Sequence, residues 1–266
     1  MSGATASRWG LRTAALTYLT LLLIIPVATI FYKAFEHGFS AAWESITTHN
    51  AIHALELTLL MVAVAVPLNA VFGVACAILL VRHRWWGNRV IDAIINLPFA
   101  ISPVVIGLSL FLLYGVGGWF AGLSEAGIKI LFAVPGMVLA STFVSVPFVV
   151  RETVPVLQEI GVDQEQAAST LGASSWQTFW RITLPAIRWG VAYGIVLTTA
   201  RVLGEFGAVS VVSGKISGQT ETLPIFVAKQ FDEYNFTGAY AGAVLLALLA
   251  LSALLAMNLF KRKEVA

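Results

Sequence analysis

The chain has 266 residues, of which 58% are hydrophobic and only 11% are charged, and its net charge is +2. Because soluble globular domains carry about 25% charged residues, this composition excludes a soluble globular protein. The single cysteine, Cys76, also excludes a disulfide framework and a metal site built from several cysteines.

Stretches without charged residues predict the membrane-spanning helices. A helix that crosses the hydrocarbon core needs about 20 mostly apolar residues. Five uncharged stretches meet this requirement: residues 13–32, 57–81, 93–124, 130–150 and 234–260. A sixth stretch, residues 187–213, is apolar except for Arg188, Arg201 and Glu205. We therefore predict an all-α integral membrane protein with six transmembrane helices.

Lysine and arginine residues predict the orientation, since they accumulate in cytoplasmic loops. With a cytoplasmic N-terminus, eleven of them fall on the cytoplasmic side and four on the outer side, namely Lys33, Lys129, Lys215 and Lys229. This distribution predicts a multi-pass protein with both termini in the cytoplasm. Two arginines precede the first span, but a small-residue cleavage site is missing, so we interpret this span as a retained anchor rather than a signal peptide.

The same pattern divides the chain into three parts. Residues 1–52 comprise the cytoplasmic N-terminus, the first transmembrane anchor helix and an outer loop. Residues 53–260 form the transmembrane domain, and residues 261–266 form a basic cytoplasmic tail. Within the transmembrane domain, the stretch 163–185 differs from the rest because its composition is typical of a soluble protein surface.

The third uncharged stretch, residues 93–124, is too long for one simple span. It contains Pro98, then Ser102 and Pro103, and then Gly107. Proline removes a helix hydrogen bond, so we predict a broken or kinked helix here. A broken helix at membrane depth is tolerated only where it faces protein or a water-filled cavity. Residues 98–107 are therefore a candidate wall of a transport pathway.

The stretch 163–185 predicts two short helices. Asp163 with Gln166, and Ser174 with Gln177, each match the capping box that begins a helix. Gly172 between them suits the left-handed position that ends one, and Pro185 is expected to stop the second helix or to open the next.

Arg201 and Glu205 are charged residues inside the apolar stretch 187–213. Four residues apart on a helix, they share a face and can pair with each other. Charges inside a membrane are costly and usually face the bundle interior or a cavity. Two interpretations remain open, which are an ion pair that fixes helix packing and a gate or substrate contact. The adjacent Gly204 and Gly207 predict close approach by another helix.

The sequence lacks a nucleotide-hydrolysing motif. A P-loop needs a glycine where Val209 stands and a serine or threonine where Ile216 follows Lys215. His49 and His53 are four residues apart, but no third ligand lies near them, so they do not indicate a metal site. We predict that the chain is not an enzyme by itself.

The spacing in 163–185 carries a specific resemblance. Gln166-Ala-Ala, three residues, Gly172, nine residues and then Ile182-Thr-Leu-Pro185 is similar to the EAA motif of ABC-importer membrane subunits. That motif lies in a cytoplasmic loop before the penultimate span, as the predicted topology has it here. Gln166 departs from the family's usual glutamate, with Glu165 just before it, so any role that needs a carboxylate at position 166 is in question.

The resemblance extends over nearly the whole chain. The run from Tyr193 to Gly214, together with Thr183–Trp189, Leu97–Val105 and Val66–Gly73, resembles the W-type permease subunits of sulfate and thiosulfate ABC importers. T-type sulfate permeases and molybdate permeases share the shorter Gly-Glu-Phe-Gly-Ala. The shorter match therefore indicates importers of tetrahedral oxyanions, whereas the longer run indicates sulfate.

The resemblance implies a type I ABC-importer permease fold with a cytoplasmic coupling helix, in a bacterial inner membrane. It implies that the partners are a T-type sulfate permease subunit in a pseudo-symmetric heterodimer, two copies of a sulfate ABC ATPase subunit and an extracytoplasmic sulfate-binding protein. It also implies lipid surroundings and no nucleic acid. No cofactor is expected in this chain, because ATP and Mg would be bound by the ATPase subunits. Contact with the ATPase is assigned to the coupling element 163–185, through Glu165, Gln166, Ala167, Ala168, Leu171, Gly172, Ile182, Leu184 and Pro185.

A dianion in a low-dielectric passage needs donors that replace its water. We expect them at the pathway or gate residues Ser102, Pro103, Thr198, Thr199, Arg201 and Glu205, and at the helix N-termini near 98–107. Within the importer class, molybdate or thiosulfate remain alternatives to sulfate. Outside it, the alternatives are a secondary transporter driven by an ion gradient and a purely structural scaffold, and both leave the EAA spacing unexplained.

Overall fold

The computed structural model describes residues 2–83 and 85–265, with side chains for 9–83 and 85–256. The described residues are helical or irregular and contain no strand. The helices are α1 (Ser2–Leu19), α2 (Ile25–Phe35), α3 (Phe39–Ile46), α4 (His49–Arg82), α5 (Asn88–Ala100), α6 (Pro103–Tyr114), α7 (Ala121–Glu125), α8 (Val134–Ile160), α9 (Asp163–Thr170), α10 (Ser175–Thr178), α11 (Leu184–Leu203), α12 (Gly207–Val212), α13 (Leu223–Asp232) and α14 (Phe236–Val265). Two π turns, Thr20–Ile24 and Phe179–Thr183, join α1 to α2 and α10 to α11.

Among the described residues, five continuous helical segments are long and apolar enough to cross a membrane. They are Trp9–Phe35, His49–Arg82, Val134–Ile160, Ser175–Leu203 and Phe236–Ala256. Helices α5 and α6 pass the same test as a pair, but they meet at a bend of 111°. The predicted all-α membrane protein is therefore confirmed, and the number of spans is six when the bent pair counts as one.

The core of the bundle forms where α4 and α8 pack along each other. Met61, Met137 and Val209 are buried at its centre, where α6 and α12 close over the pair. Helix α11 packs against both α8 and α4, whereas the first span lies outside this core and packs through α2 on α14. The main hydrophobic core is therefore formed by helices that follow residue 48.

Prolines explain the two π turns. Pro26 and Pro185 each occupy the first turn of the helix after a π turn. A proline inside a helix removes a backbone donor and collides with the carbonyl four residues earlier, and the wider π geometry lets the helix continue past it. The prediction that Pro185 opens a helix is confirmed, because Pro185 lies in the first turn of α11. The helix before it does not end in a loop, since α10, the π turn and α11 form one continuous segment, Ser175–Leu203.

Two predicted boundaries differ from the structure. The second span begins at His49, where Thr48 caps it, so the division between residues 52 and 53 falls inside α4. The predicted span 187–213 ends at Leu203, because the chain leaves the helix at Gly204 and resumes only at Gly207. In both cases the uncharged stretch located the membrane segment but not the ends of the helix.

Candidate functional site

Two breaks in the helices meet on one side of the bundle. The first break, at Ile101 and Ser102, separates α5 from α6, and the second, at residues 204–206, separates α11 from α12. Gly207 lies directly against the first break, since a Cβ there would stand 2.9 Å from the Cβ of Pro103. The predicted close approach at Gly207 is confirmed. Gly204 makes no such approach, because a Cβ there would meet only the Ala200 carbonyl oxygen of its own helix, at 3.7 Å.

A cavity of about 340 Å³ opens beside the first break. Three of the predicted pathway residues line it, and these are Ser102, Pro103 and Arg201. The remaining lining is apolar and comes from α5, the break itself and α8: Pro98, Phe99, Ala100, Ile101, Val144 and Phe148. The break predicted from the prolines thus lies next to a cavity that carries one cation and one hydroxyl group.

Arg201 and Glu205 form the ion pair that their spacing predicts, with 2.6 Å between the Arg201 Nη1 and the Glu205 Oε2. Their burial differs sharply, because the Arg201 side chain is 29% exposed and the Glu205 side chain only 1%. The other carboxylate oxygen of Glu205, Oε1, accepts a hydrogen bond of 2.8 Å from the backbone N–H of Ala208. The prediction that both residues lie on one helix is wrong, since Glu205 follows the end of α11 and binds a backbone N–H in the first turn of α12 instead.

The threonines predicted for the pathway do not line this cavity. Thr198 is fully buried in α11, and its hydroxyl has no hydrogen-bond partner among the described residues. The Thr199 hydroxyl donates to the carbonyl oxygen of Ile195 one turn earlier. The structure therefore brings Ser102, Pro103 and Arg201 together, places Glu205 behind them, and leaves the two threonines within the helix packing.

The stretch 163–185 begins with α9, turns sharply and continues into the Ser175–Leu203 segment. Gly172 makes the turn with φ of +84°, a left-handed conformation that favours glycine, as predicted. The capping box of Ser174 and Gln177 is present in both directions, at 3.3 Å and 2.9 Å. The predicted box at Asp163 is wrong, because Asp163 is already the first helical residue and Val162 occupies the cap position without a side-chain bond.

The outer surface of this stretch is apolar at its tip. The Leu171 side chain is 87% exposed and Trp176 is 69% exposed, and Gln166, Ala167 and Gly172 are exposed beside them. We name this surface, residues 166, 167, 171, 172 and 176, the tip surface. The other residues assigned to ATPase contact face the chain itself to different degrees: Ala168 is buried, Glu165, Ile182 and Leu184 are half-buried, and Pro185 is exposed.

The carboxylate of Glu165 is bound within the chain. Its Oε2 lies 2.9 Å from the Arg82 Nε, and its Oε1 accepts a hydrogen bond of 2.8 Å from the Thr183 hydroxyl. The sequence does not predict this contact, because Arg82 and Glu165 are 83 residues apart and no local spacing connects them. Glu165 therefore does not present a free carboxylate in place of the one missing at Gln166.

A second acidic residue that no sequence motif indicates lies deep in the fold. Glu221 is 1% exposed, and neither of its carboxylate oxygens has a hydrogen-bond partner among the described residues. It lies between α12 and α13 in a short buried polar run with Thr220 and Thr222. The described part of the chain contains no group of three His, Cys, Asp or Glu residues that could hold a metal ion.

Comparison with known proteins places these features in a transport context. Residues 69–265 match the family described as "Binding-protein-dependent transport system inner membrane component". The "Sulfate transport system permease protein CysW" of Synechococcus elongatus is 53% identical over 233 residues, which cover 87% of this chain and 82% of that protein. The "Sulfate transport system permease protein CysT" of Escherichia coli is 38% identical over 240 residues, covering 89% and 87% respectively.

The fold is similar to that of solved importers. A chain in the crystal structure of a bacterial ABC transporter involved in the import of the acidic polysaccharide alginate superposes with a TM-score of 0.81. The match covers 96% of this chain and 94% of that one, at 18% sequence identity. At this identity the likeness concerns the fold alone.

Proposed function

The chain belongs to the family of binding-protein-dependent transport system inner membrane components, and from this premise we propose that it is the W-type permease subunit of an ATP-driven sulfate importer. The observation that carries the proposal is the identity of 53% over most of both chains with a sulfate permease. Identity with a T-type sulfate permease is lower, at 38%, which favours the W-type position in the complex.

The proposed orientation places the tip surface in the cytoplasm. Arg82, at the end of α4, lies beside α9, so the tip surface and the basic loop after α4 are at the same end of the bundle. Basic loops accumulate on the cytoplasmic side. Both termini are then cytoplasmic, in a multi-pass protein of a bacterial inner membrane.

The proposed complex contains a T-type permease subunit, two copies of a cytoplasmic ATPase and an extracytoplasmic sulfate-binding protein. This composition follows the resemblance to sulfate importers. ATP and Mg are assigned to the ATPase, since the sequence has no P-loop that would bind them.

We assign ATPase docking to the tip surface. Leu171 and Trp176 expose large apolar side chains at a sharp turn. Exposed aromatic and aliphatic anchors of this kind fill pockets on a partner and carry much of the binding energy. The neutral Gln166 lies within this surface, so its contact with the ATPase is a hydrogen bond rather than an ion pair.

Sulfate passage is assigned to the cavity at the first helix break. A dianion that leaves water needs hydrogen-bond donors and positive charge along its route. The Arg201 guanidinium and the Ser102 hydroxyl line this cavity. Glu205 holds Arg201 from behind by the 2.6 Å ion pair, so that part of the cation stays exposed to the cavity.

Copurification tests the proposal. The full chain, carrying an affinity tag and expressed with its genomic neighbours, is expected to retain a second permease and an ATPase, and sulfate-loaded binding protein is expected to stimulate ATP hydrolysis. Molybdate-loaded and thiosulfate-loaded binding proteins identify the preferred oxyanion. Recovery of the chain alone, with uptake driven by an ion gradient, would instead favour a secondary transporter.

A further inference from the structure

Arg82 connects three parts of the chain at one point. Its Nη1 donates to the carbonyl oxygen of Leu157 at 3.1 Å, and its Nη2 donates to that of Gly161 at 2.7 Å. Its Nε and Nη2 also reach the two carboxylate oxygens of Glu165, at 2.9 Å and 3.2 Å. The end of α4 is thereby tied to the end of α8 and to α9.

Thr183 adds a fourth element to this cluster. It lies in the π turn before α11, is 7% exposed, and donates its hydroxyl to the Glu165 Oε1 at 2.8 Å. The Arg82 and Glu165 side chains are themselves only 11% and 22% exposed. Hydrogen bonds to charged groups are roughly twice as strong as neutral ones, and burial protects them from screening by salt. We name Arg82, Glu165 and Thr183 the latch.

Helix α9 depends on the latch because it has little else to hold it. It is eight residues long, and Ala168 is its one buried residue. An isolated helix shorter than about 12 residues is marginal in water, so α9 owes its position to tertiary contacts. Its close neighbours are α10 and the π turn, and among the described residues the latch is its polar connection to α4 and α8.

We propose that Arg82, Glu165 and Thr183 are positioning residues that hold the coupling helix α9 rigidly on the ends of α4 and α8. A displacement of the tip surface is then passed to those two helices instead of being absorbed by movement of α9 alone. The proposal rests on the proposed function, because it assigns a transport role to this rigidity. It also gives Glu165 an inward role, distinct from the docking role of Gln166 one residue later.

Hydrogen–deuterium exchange of the full chain in detergent micelles tests the mechanical part without any partner. Glu165→Gln removes the charge that Arg82 binds, and Thr183→Val removes one hydroxyl donor at nearly constant volume. Asp163→Asn is the matched control, since it removes an equal charge from the same helical turn at an exposed position. We expect amide exchange in residues 163–171 to accelerate about tenfold in Glu165→Gln and by less in Thr183→Val, because local opening controls exchange. Asp163→Asn is expected to exchange as the wild type does.

The transport part is tested in the assembled complex by measuring sulfate taken up per ATP hydrolysed in proteoliposomes. A loose α9 is expected to lower uptake per ATP at least threefold in Glu165→Gln, whereas Asp163→Asn retains the wild-type ratio. Thr183→Val decides the question if the Glu165→Gln complex does not assemble.

Three results distinguish the positioning of α9 by the latch, its role in coupling and the proposed transport function. If amide exchange in Glu165→Gln is as slow as in Asp163→Asn, the latch does not hold α9 in place. Faster exchange with an unchanged ratio of uptake to hydrolysis reduces it to a structural tie without a role in coupling. A wild-type complex that takes up no sulfate with ATP contradicts the proposed function, and the exchange rates then still decide whether the latch positions α9.

Discussion

Removal of Arg201 is expected to destabilise the protein far more than removal of its partner Glu205. The two residues form one ion pair, but Glu205 is 1% exposed and Arg201 is 29% exposed at the cavity. Arg201→Gln leaves a buried carboxylate with one remaining backbone donor, from Ala208. Breaking a buried pair in this way costs about 3–5 kcal/mol. Glu205→Gln leaves a cation that the cavity can hydrate, and it retains an oxygen for the Ala208 N–H, so a cost of about 1–2 kcal/mol is expected.

The double variant gives the sharpest form of this prediction. Arg201→Gln combined with Glu205→Gln removes both charges, so no uncompensated ion remains in the interior. We expect it to be more stable than Arg201→Gln alone by about 2 kcal/mol, although it carries one more substitution. Arg181→Gln, at an exposed position in the π turn before α11, is the control and is expected to change stability by less than about 0.5 kcal/mol.

The chain supplies its own reporter for this measurement. Cys76 is the one cysteine in the sequence, and it is buried in α4. A thiol-reactive fluorophore therefore labels the chain as it unfolds, and titration with a denaturing detergent in mixed micelles gives the free energy of unfolding of each variant. Equal losses for the two single variants, or a double variant less stable than Arg201→Gln, would refute the assignment of the buried charge to Glu205.

Three further variants test packing, desolvation and docking. Gly73→Ala puts a Cβ 2.6 Å from the Val149 Cβ, so we expect a loss of about 1–3 kcal/mol in the same titration, whereas Gly122→Ala, which meets nothing within 4 Å, is expected to be neutral; equal effects would contradict the packing of α4 on α8. Glu221→Gln replaces a buried carboxylate that has no hydrogen-bond partner among the described residues, so the variant is expected to be at least as stable as the wild type, and a clear loss of stability would reveal an ionic partner. Leu171→Asp adds a charge to an 87% exposed side chain, so we expect unchanged stability but at least tenfold weaker retention of the ATPase in pull-downs, and full retention would remove Leu171 from the docking surface.

The features that a membrane imposes locally were predictable from sequence. Apolar length located the spans, because a helix must satisfy its own backbone in lipid. Pro98 and Pro103 predicted the break between α5 and α6, and Gly172 predicted the left-handed turn before α10. The ion pair of Arg201 and Glu205 was predicted from the four-residue spacing of its partners, although Glu205 lies beyond the end of α11.

Features that depend on distant contacts were not predictable. Glu165 was interpreted as facing a partner, yet it binds Arg82 at the end of α4. Nothing in the spacing of either residue indicates this, since the contact exists only once α4, α8 and α9 have packed together. The end of α11 at Leu203 escaped prediction for a related reason. The chain is apolar on both sides of the break, and only the structure shows that the helix restarts at Gly207, where the Glu205 carboxylate accepts from the Ala208 N–H.

Uptake of radiolabelled sulfate into proteoliposomes tests the central claim most directly. The complex is reconstituted with its ATPase subunits and ATP inside the vesicles, and sulfate-loaded binding protein is added outside. These vesicles are expected to accumulate sulfate against its concentration gradient. The same vesicles without ATP, or with Leu171→Asp in place of the wild-type chain, are expected to accumulate little. Accumulation that follows a proton or sodium gradient and continues without ATP would contradict the assignment of this chain to an ATP-driven sulfate importer.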